Sequence, residues 1–250
     1  MEPIYREKIT VSNDAVDCFG RLKPSFILYY AQEAAGRHCR DLSVDADTLS
    51  KKHLFWAIIR NRVQITRLPL SGETITIETW PMPTTKVAYP RSTVAYDAEG
   101  RELFRSIGLW VLMDLNTRNM ILPGKSGISV IGTIRGTELA IPNSLIPRPL
   151  GNQHRRSVCF TDLDRNGHMN NARYMDWISD LLPSSFHLEH MPREFTVCYL
   201  SEAREGETLT VNWELKWEAS KGSWLQVDAC RKHSEDSTGH ERVFSAKIVY

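Results

Sequence analysis

The feature that most constrains the fold of this chain is an internal repeat. The string Gly72-Glu73-Thr74-Ile75-Thr76-Ile77 recurs in the second half as Gly206-Glu207-Thr208-Leu209-Thr210-Val211. Each copy follows a strand-like segment, at 58–65 and at 195–200, and alternating apolar and polar residues continue after each copy. Because the order of the segments is repeated as well as the string, we predict that the chain is a duplication of two similar halves.

Each half also carries a polar turn and an amphipathic helix pattern upstream of its copy. Apolar residues recur at helical spacing from Ile27 to Ala35, behind Pro24, a residue favoured at helix starts. The same spacing runs from Ala172 to Leu182, where Pro183 follows. The last two strands of the halves flank turns at 97–100 and at 233–239. We therefore predict an α+β fold, with a helix first and then an antiparallel sheet that wraps around it in each half.

The segment between the halves has the composition of a linker. It contains Pro142, Pro147 and Pro149, few charges and no clear periodicity. We predict an N-terminal domain at 1–135, a linker at 136–152 and a C-terminal domain at 153–250.

Composition excludes several classes of protein. The chain has 250 residues, 42% of them hydrophobic and 24% charged, as in ordinary globular proteins. A net charge of +1 gives no reason to expect a nucleic-acid partner. The five cysteines are scattered without metal-type spacing, which predicts reduced thiols in the cytoplasm. No apolar run is long enough to span a membrane, and the first residues lack the pattern of a signal or transit peptide.

The densest cluster of reactive side chains lies at 162–171. It holds two carboxylates, three carboxamides, a glycine and a histidine, directly before the second helix pattern. The corresponding turn of the first half, at 17–23, keeps a glycine but has neither histidine nor asparagine. We therefore predict that the chemistry is in the C-terminal half.

The residue types in this cluster suggest roles. We expect His168 in or near the first helical turn, where the helix dipole opposes its protonation and leaves it able to accept a proton. Asn166 can orient a water, and Asp164 can fix the tautomer of His168 or polarise that water. The amides near Gly167 and His168 can hold a carbonyl oxygen as it gains charge. Glu202, in the turn after the strand at 195–200, is the best candidate for a strong base. Three further polar residues are expected to be scaffolding: Asp162, Asn170 and Asn171.

The motif Asp164-x-Asn166-x-His168-x-Asn170-Asn171, with Tyr174 and Trp177 behind it, resembles that of the acyl-acyl carrier protein thioesterases, the Fat-type enzymes of plants and bacteria. The strings at 72–81 and 109–114 are similar to family segments, so the resemblance covers nearly the whole chain. It implies a tandem (double) hotdog fold, in which each half is a sheet around a long helix. It also implies that Asp164, Asn166, His168 and Glu202 are catalytic. Ala203 stands where plant members carry a cysteine, which argues against a thiol nucleophile, and without a transit-type N-terminus a bacterial-type member is expected.

The activity implied by the resemblance is hydrolysis of a fatty acyl-acyl carrier protein to the free fatty acid and the holo carrier protein, with no cofactor. We expect Glu202 and His168 to activate a water, while direct carboxylate attack through an anhydride stays open. A coenzyme A thioesterase and a non-catalytic acyl-binding protein are alternatives, and a hotdog dehydratase ranks below them. A monomer and a homodimer are both open. No metal is expected, because His187 and His190 lack a third ligand at a recognised spacing.

Two binding surfaces are also predicted. An acyl-chain pocket is expected in the N-terminal half, from apolar residues of its helix and the following strand: Phe26, Ile27, Tyr30, Phe55 and Trp56. An acyl carrier protein is strongly acidic, so its dock should be basic. The candidates for the dock lie mostly near the linker: Arg118, Lys125, Arg135, Arg148, Arg155 and Arg156.

Overall fold

The structure is a computed structural model that describes residues 3–136, 138–218, 222–232 and 240–250. The turn predicted at 233–239 lies outside the described residues. The chain divides into two compact units, Met1–Pro142 and Asn143–Tyr250. The division falls within the segment for which a linker was predicted.

The N-terminal unit is an antiparallel sheet with one long helix. Its strands are β1 (Tyr5–Thr10), β2 (Leu54–Ile65), β3 (Thr74–Pro81), β4 (Tyr89–Tyr96), β5 (Glu102–Asp114) and the short β6 (Met120–Ile121). Its helices are α1 (Pro24–Asp41), α2 (Ala46–Ser50) and α3 (Pro123–Ser126). The strand order is β1-β3-β4-β5-β2, and β6 pairs with β5. Helix α1 begins with Pro24, whose fixed φ suits a helix start, and it packs its buried face, including Ile27 and Ala34, against β1 and β3.

The C-terminal unit repeats the sheet of the N-terminal unit, with two short helices where the N-terminal unit has its long helix. Its strands are β7 (Asn152–Ser157), β8 (Glu194–Tyr199), β9 (Thr208–Glu218), β10 (Gly222–Lys232) and β11 (His240–Val249). Its helices are α4 (Arg173–Ser179) and α5 (Ser184–Glu189). The strand order is β7-β9-β10-β11-β8, all antiparallel, which is the order of the N-terminal unit with β7 in place of β1. The two units therefore share one α+β hotdog topology, and the predicted duplication is confirmed.

The repeated Gly-Glu pair has the same structural task in both units. Gly72 and Gly206 have positive φ values of 77° and 82°, a backbone region that favours glycine. Their amides donate to the carbonyls of Val11 and Val158, at 2.8 and 3.0 Å, just after the first strand of each unit. The repeat is therefore the turn that starts β3 and β9 beside those first strands.

Two details of the prediction are wrong. Each unit begins with a strand, not with its helix. The missed strands β1 and β7 lie at the ends of the strand orders and read as polar sequences, with no apolar alternation to reveal them. The second predicted helix, Ala172 to Leu182, is also shorter than expected. It ends at Ser179, and α5 begins after Pro183, because a residue before proline disfavours helical geometry.

Candidate active site

The polar loop of the C-terminal unit is built on a turn that occurs three times among the described residues. In each case an aspartate Oδ1 accepts from the amides two and four residues later, as in Asp164 with Asn166 (2.7 Å) and His168 (3.3 Å). A glycine with positive φ occupies the fourth position, and its amide donates to the aspartate carbonyl. The other two copies start at Asp17 and Asp97, with the same pair of bonds. An aspartate side chain that accepts from its own turn is a common way to stabilise such loops.

The fifth residue distinguishes the C-terminal copy. In the other two turns it is an arginine, Arg21 or Arg101, whose Nε donates back to Oδ2 of the aspartate at 3.2 and 2.7 Å. In the C-terminal copy the fifth residue is His168. Among the described residues, no hydrogen bond joins this imidazole to the carboxylate of Asp164. The turn therefore holds the backbone of His168 and leaves the side chain free to face another group.

That group is the carboxylate of Glu202. The Nε2 of His168 lies 3.2 Å from Oε2 of Glu202, with the two side chains 17% and 42% exposed. A backbone bond sets this approach, because the amide of Met169 donates to the carbonyl of Ala203 at 2.8 Å. The residues after His168 and after Glu202 are thus tied together, and solvent still reaches the pair.

Three predicted roles are corrected by this geometry. Asp164 does not fix the tautomer of His168, since its carboxylate binds backbone amides and, at 3.4 Å, the side chain of Asn166. The amides of Gly167 and His168 are not a free oxyanion hole, because they donate to Asp164 within the turn. His168 also lies five residues before the first residue of α4, so the helix-dipole argument does not apply to it.

The residues expected to be scaffolding do hold the loop in place. Asp162 accepts from the amide of Cys159 at 3.0 Å and from Trp177 Nε1 at 3.4 Å. Asn170 Oδ1 accepts from the amide of Ala172, and Tyr199 Oη donates to the carbonyl of Asn171. Behind them Tyr174 packs edge-on against Tyr199 and Phe244, and burial raises the pKa of its phenol well above the usual value.

One residue of this region was missed from the sequence. Arg231, near the end of β10, donates to the backbone carbonyl of Glu202 at 2.7 Å and to Ser201 Oγ at 2.8 Å. An arginine in a strand carries no local pattern that would single it out. Its importance arises only when the sheet brings it under the turn at 201–207.

The predicted acyl-pocket residues do not form one group. Phe55 and Trp56 are neighbours on β2, and successive strand side chains point to opposite faces. Trp56 donates to the carbonyl of Val44 and packs edge-on against Tyr89, whereas Arg118 lies over the ring of Phe55. On α1, Ile27 is fully buried and Tyr30 is 7% exposed, as core residues would be. Phe26 packs against Tyr29 and Tyr30. The side chains of Phe55 and Trp56 therefore cannot line the same side of an acyl-chain pocket.

Two of the basic candidates are held by acidic and aromatic partners. Arg135 binds Glu78 and lies over the ring of Trp80, and Arg156 binds Asp180 and lies over Trp177. Arg155 lies on the opposite face of β7 from Arg156. It contributes to a groove of about 680 Å³ in the C-terminal unit. The groove is lined by Gln153, Arg155, Thr208, Thr210, Asn212, Cys230, Lys232 and His240, with no carboxylate among these described residues.

Within the described ranges, no cluster of three or more histidine, cysteine, aspartate or glutamate side chains is arranged to hold a metal ion. His187 Nε2 lies 2.9 Å from the carbonyl of Ser179, and the ring of His190 packs against Phe186 and Trp217. No helix in the described part of the chain is both long and apolar enough to cross a bilayer.

Sequence relatives were found among plant enzymes. The chain is 27% identical over 191 residues to a dodecanoyl-[acyl-carrier-protein] hydrolase of Cinnamomum camphora, covering 70% of this chain and 50% of the relative. It is 24% identical over 226 residues to oleoyl-acyl carrier protein thioesterase 2 of Arabidopsis thaliana, covering 81% of this chain and 60% of the relative. The chain thus spans only about half to three fifths of the length of these relatives.

Solved structures share the fold. An acyl-ACP thioesterase of Bacteroides thetaiotaomicron superposes with a TM-score of 0.82 at 22% identity, covering 99% of this chain and 97% of the other. The 12:0-ACP thioesterase of Umbellularia californica gives 0.82 at 21%, covering 98% and 93%. The family model for the acyl-ACP thioesterase N-terminal domain matches residues 2–122, and that for the C-terminal domain matches residues 150–243. With both domains matched in order, the chain belongs to the acyl-ACP thioesterase family.

Proposed function

We propose that this protein hydrolyses the thioester of a fatty acyl-acyl carrier protein, releasing the free fatty acid and the holo carrier protein. The observation that carries the proposal is the contact between His168 and Glu202 on a solvent-accessible turn. A carboxylate beside an imidazole is a suitable general acid–base pair for thioester hydrolysis. Membership of the family supports the same reaction.

The proposed chemistry uses one water and one proton shuttle. The His168–Glu202 pair takes a proton from the water as its oxygen attacks the thioester carbonyl carbon. The pair then returns that proton to the sulfur as the carbon–sulfur bond breaks, so the products are an acid and a thiol. Asn166, exposed at the tip of the turn, carries a side-chain amide that can orient the water. Asp164 serves by holding the turn that presents His168.

We place the acyl chain in the N-terminal unit, as the sequence predicted, with Phe26, Ile27 and Tyr30 of α1 as candidate contacts. The proposal is supported by the apolar character of this helix face. It can be tested by comparing the acyl chain lengths that the wild type and variants of these three residues hydrolyse. Phe55 and Trp56 would contribute from different faces of β2. We place the protein in the cytoplasm, where its five separate thiols would stay reduced.

We propose that the carrier protein docks at the groove of the C-terminal unit. Arg155 and Lys232 lie on this groove without a neighbouring carboxylate in the lining, so the groove is locally positive although the whole chain carries a net charge of only +1. An acidic partner is the one that such a surface attracts. Arg231, the residue before Lys232 in β10, contacts the backbone of Glu202 from the opposite face of the sheet. The groove and the proposed site therefore share the end of this strand but lie on opposite faces of it.

The reaction can be tested with acyl carrier proteins that bear chains of graded length. The purified protein should release free acids from a subset of them, and His168→Ala should lose most of kcat. His154→Ala, which removes an exposed histidine of β7, is the matched control and should behave as the wild type. If His168→Ala hydrolysed these substrates at the wild-type rate, the assignment of the site would be wrong.

A parallel series of acyl-coenzyme A esters separates the two carriers. We expect a higher kcat/KM with the carrier protein, because only a protein partner can use the whole basic groove. Equal kcat/KM values with both carriers would favour the coenzyme A alternative. Binding of acyl chains without any release of acid would favour a non-catalytic acyl-binding protein.

A further inference from the structure

The guanidinium of Arg231 connects the turn at 201–207 to the sheet at several points. Its Nη1 donates to the carbonyl of Glu202 at 2.7 Å, and its Nη2 donates to Ser201 Oγ at 2.8 Å. The same Nη1 lies 2.6 Å from Oε2 of Glu207, which is the last residue of the turn. Its Nε donates to Oε2 of Glu241 on the neighbouring strand β11 at 2.9 Å. One side chain therefore contacts both ends of the turn and the next strand.

Partial burial and two carboxylate partners strengthen the hydrogen bonds of Arg231. The side chain of Arg231 is only 23% exposed, and two carboxylates neutralise its charge. Charge-assisted hydrogen bonds of a planar, multiply bonded guanidinium define geometry better than single contacts do. Glu207 and Glu241 both pair with the guanidinium of Arg231, which also binds the backbone carbonyl of Glu202.

The position of Glu202 depends on these backbone contacts. The side chain of Glu202 is 42% exposed, so packing alone does not fix its position. Its own carbonyl binds Arg231, and the next carbonyl, of Ala203, accepts from Met169. Two consecutive backbone groups are thus fixed, one to the sheet and one to the loop that carries His168.

We propose that Arg231 is a positioning residue, which holds the turn at 201–207 so that the carboxylate of Glu202 stays within reach of His168. The inference rests on the proposed function, because it assigns Arg231 a task only if Glu202 takes part in the reaction. In this role Arg231 acts through Glu202 and takes no part in the proton transfer itself. Displacing a catalytic group by about 1 Å can cost about a hundredfold in rate, so loss of Arg231 should be visible in kcat.

The matched pair for the test is Arg231→Lys and Arg242→Lys. Arg242, on β11, is 28% exposed and binds Asp228 through Nε and Nη2, so it resembles Arg231 in burial and in pairing. Within the described ranges, no hydrogen bond or ion pair joins Arg242 to the turn at 201–207. Both variants keep the charge and lose the planar fork. We expect similar shifts of the urea midpoint, but only Arg231→Lys should lower kcat, by about tenfold or more, with KM little changed.

A double-mutant cycle separates positioning from general damage. Arg231→Lys and Arg231→Ala are each made in the wild type and in Glu202→Ala, and single-turnover rates are measured with excess enzyme on the acyl carrier protein that the wild type prefers. If Arg231 acts through Glu202, its loss lowers the rate in the wild type and leaves the Glu202→Ala rate unchanged. If both backgrounds slow by the same factor, or Arg231→Lys keeps the wild-type kcat, the inference is wrong. If Glu202→Ala alone keeps the wild-type rate, the proposed role of Glu202 fails, and this result does not depend on any variant of Arg231.

Discussion

The Nε2 of His168 lies 3.2 Å from Oε2 of Glu202, although helices α4 and α5 and strand β8 separate the two residues in the sequence. Backbone structure creates this contact, because the amide of Met169 binds the carbonyl of Ala203. The side chains of His168 and Glu202 are therefore expected to act as one unit in the transfer of the proton.

We predict that His168→Ala and Glu202→Ala each lower kcat by about 10²–10⁴-fold, and that the double variant is no slower than the more damaged single variant. The reason is that one proton passes through the pair, so removing either member removes the same step. The measurement is single-turnover hydrolysis of an acyl carrier protein substrate. Losses that multiply in the double variant would show that the two residues act independently.

The three aspartate turns offer an internal comparison. Asp164→Ala and Asp17→Ala each remove an acceptor of two backbone amides, so each should lower the free energy of unfolding by about 1 kcal/mol. Only Asp164→Ala should also lower kcat, because only its turn carries His168. Urea unfolding and hydrolysis rates of the two variants check this. Similar kcat values for both variants would mean that the turn does not position His168.

The duplication and the candidate site could be predicted from the sequence for a physical reason. A turn that needs a positive φ selects glycine, and so Gly72 and Gly206 remain visible as a repeat. The reactive residue types at 164–168 are likewise local in sequence. The proximity of Glu202 was expected because it follows the strand beside the helix, and the structure brings it to His168.

The roles that depend on hydrogen-bond partners were not predictable in the same way. Asp164 and the amides of Gly167 and His168 bind each other, which the residue types alone do not reveal. The strands β1 and β7 were missed because their polar residues lack the alternation that identifies a strand. The contacts of Arg231 depend on pairing between distant strands, so no local pattern indicates them.

A buried carboxylate of the N-terminal unit, Glu78 with its two partners Arg6 and Arg135, predicts a pH dependence of stability. Burial raises the pKa of Glu78, but hydrogen bonds from Arg135 and Arg6 outweigh burial and hold this pKa below its ordinary value of 4.5. Because the folded-state pKa is depressed, the stabilisation is present above the unfolded pKa and is lost as the pH falls through the folded pKa. The wild type should therefore lose its advantage over Glu78→Gln over the acidic range below about pH 5. Urea midpoints of both proteins across this range check the prediction. A constant difference between them would contradict it.

The basic groove predicts a specific defect with the carrier protein. Reversing two charges, in the double variant Arg155→Glu with Lys232→Glu, should lower kcat/KM for acyl carrier protein substrates by about tenfold or more, because charge complementarity acts mainly on association. Hydrolysis of the same acyl chain on a small neutral thiol should not change. Added salt should lower the kcat/KM of the wild type toward that of the variant and should change the kcat/KM of the variant little, since screening removes the same attraction.

Lys86→Glu, which reverses an exposed charge in the N-terminal unit, is the matched control and should keep the wild-type kcat/KM. If the double variant lost activity equally on both kinds of substrate, the defect would lie in the reaction site and the groove would not be the dock.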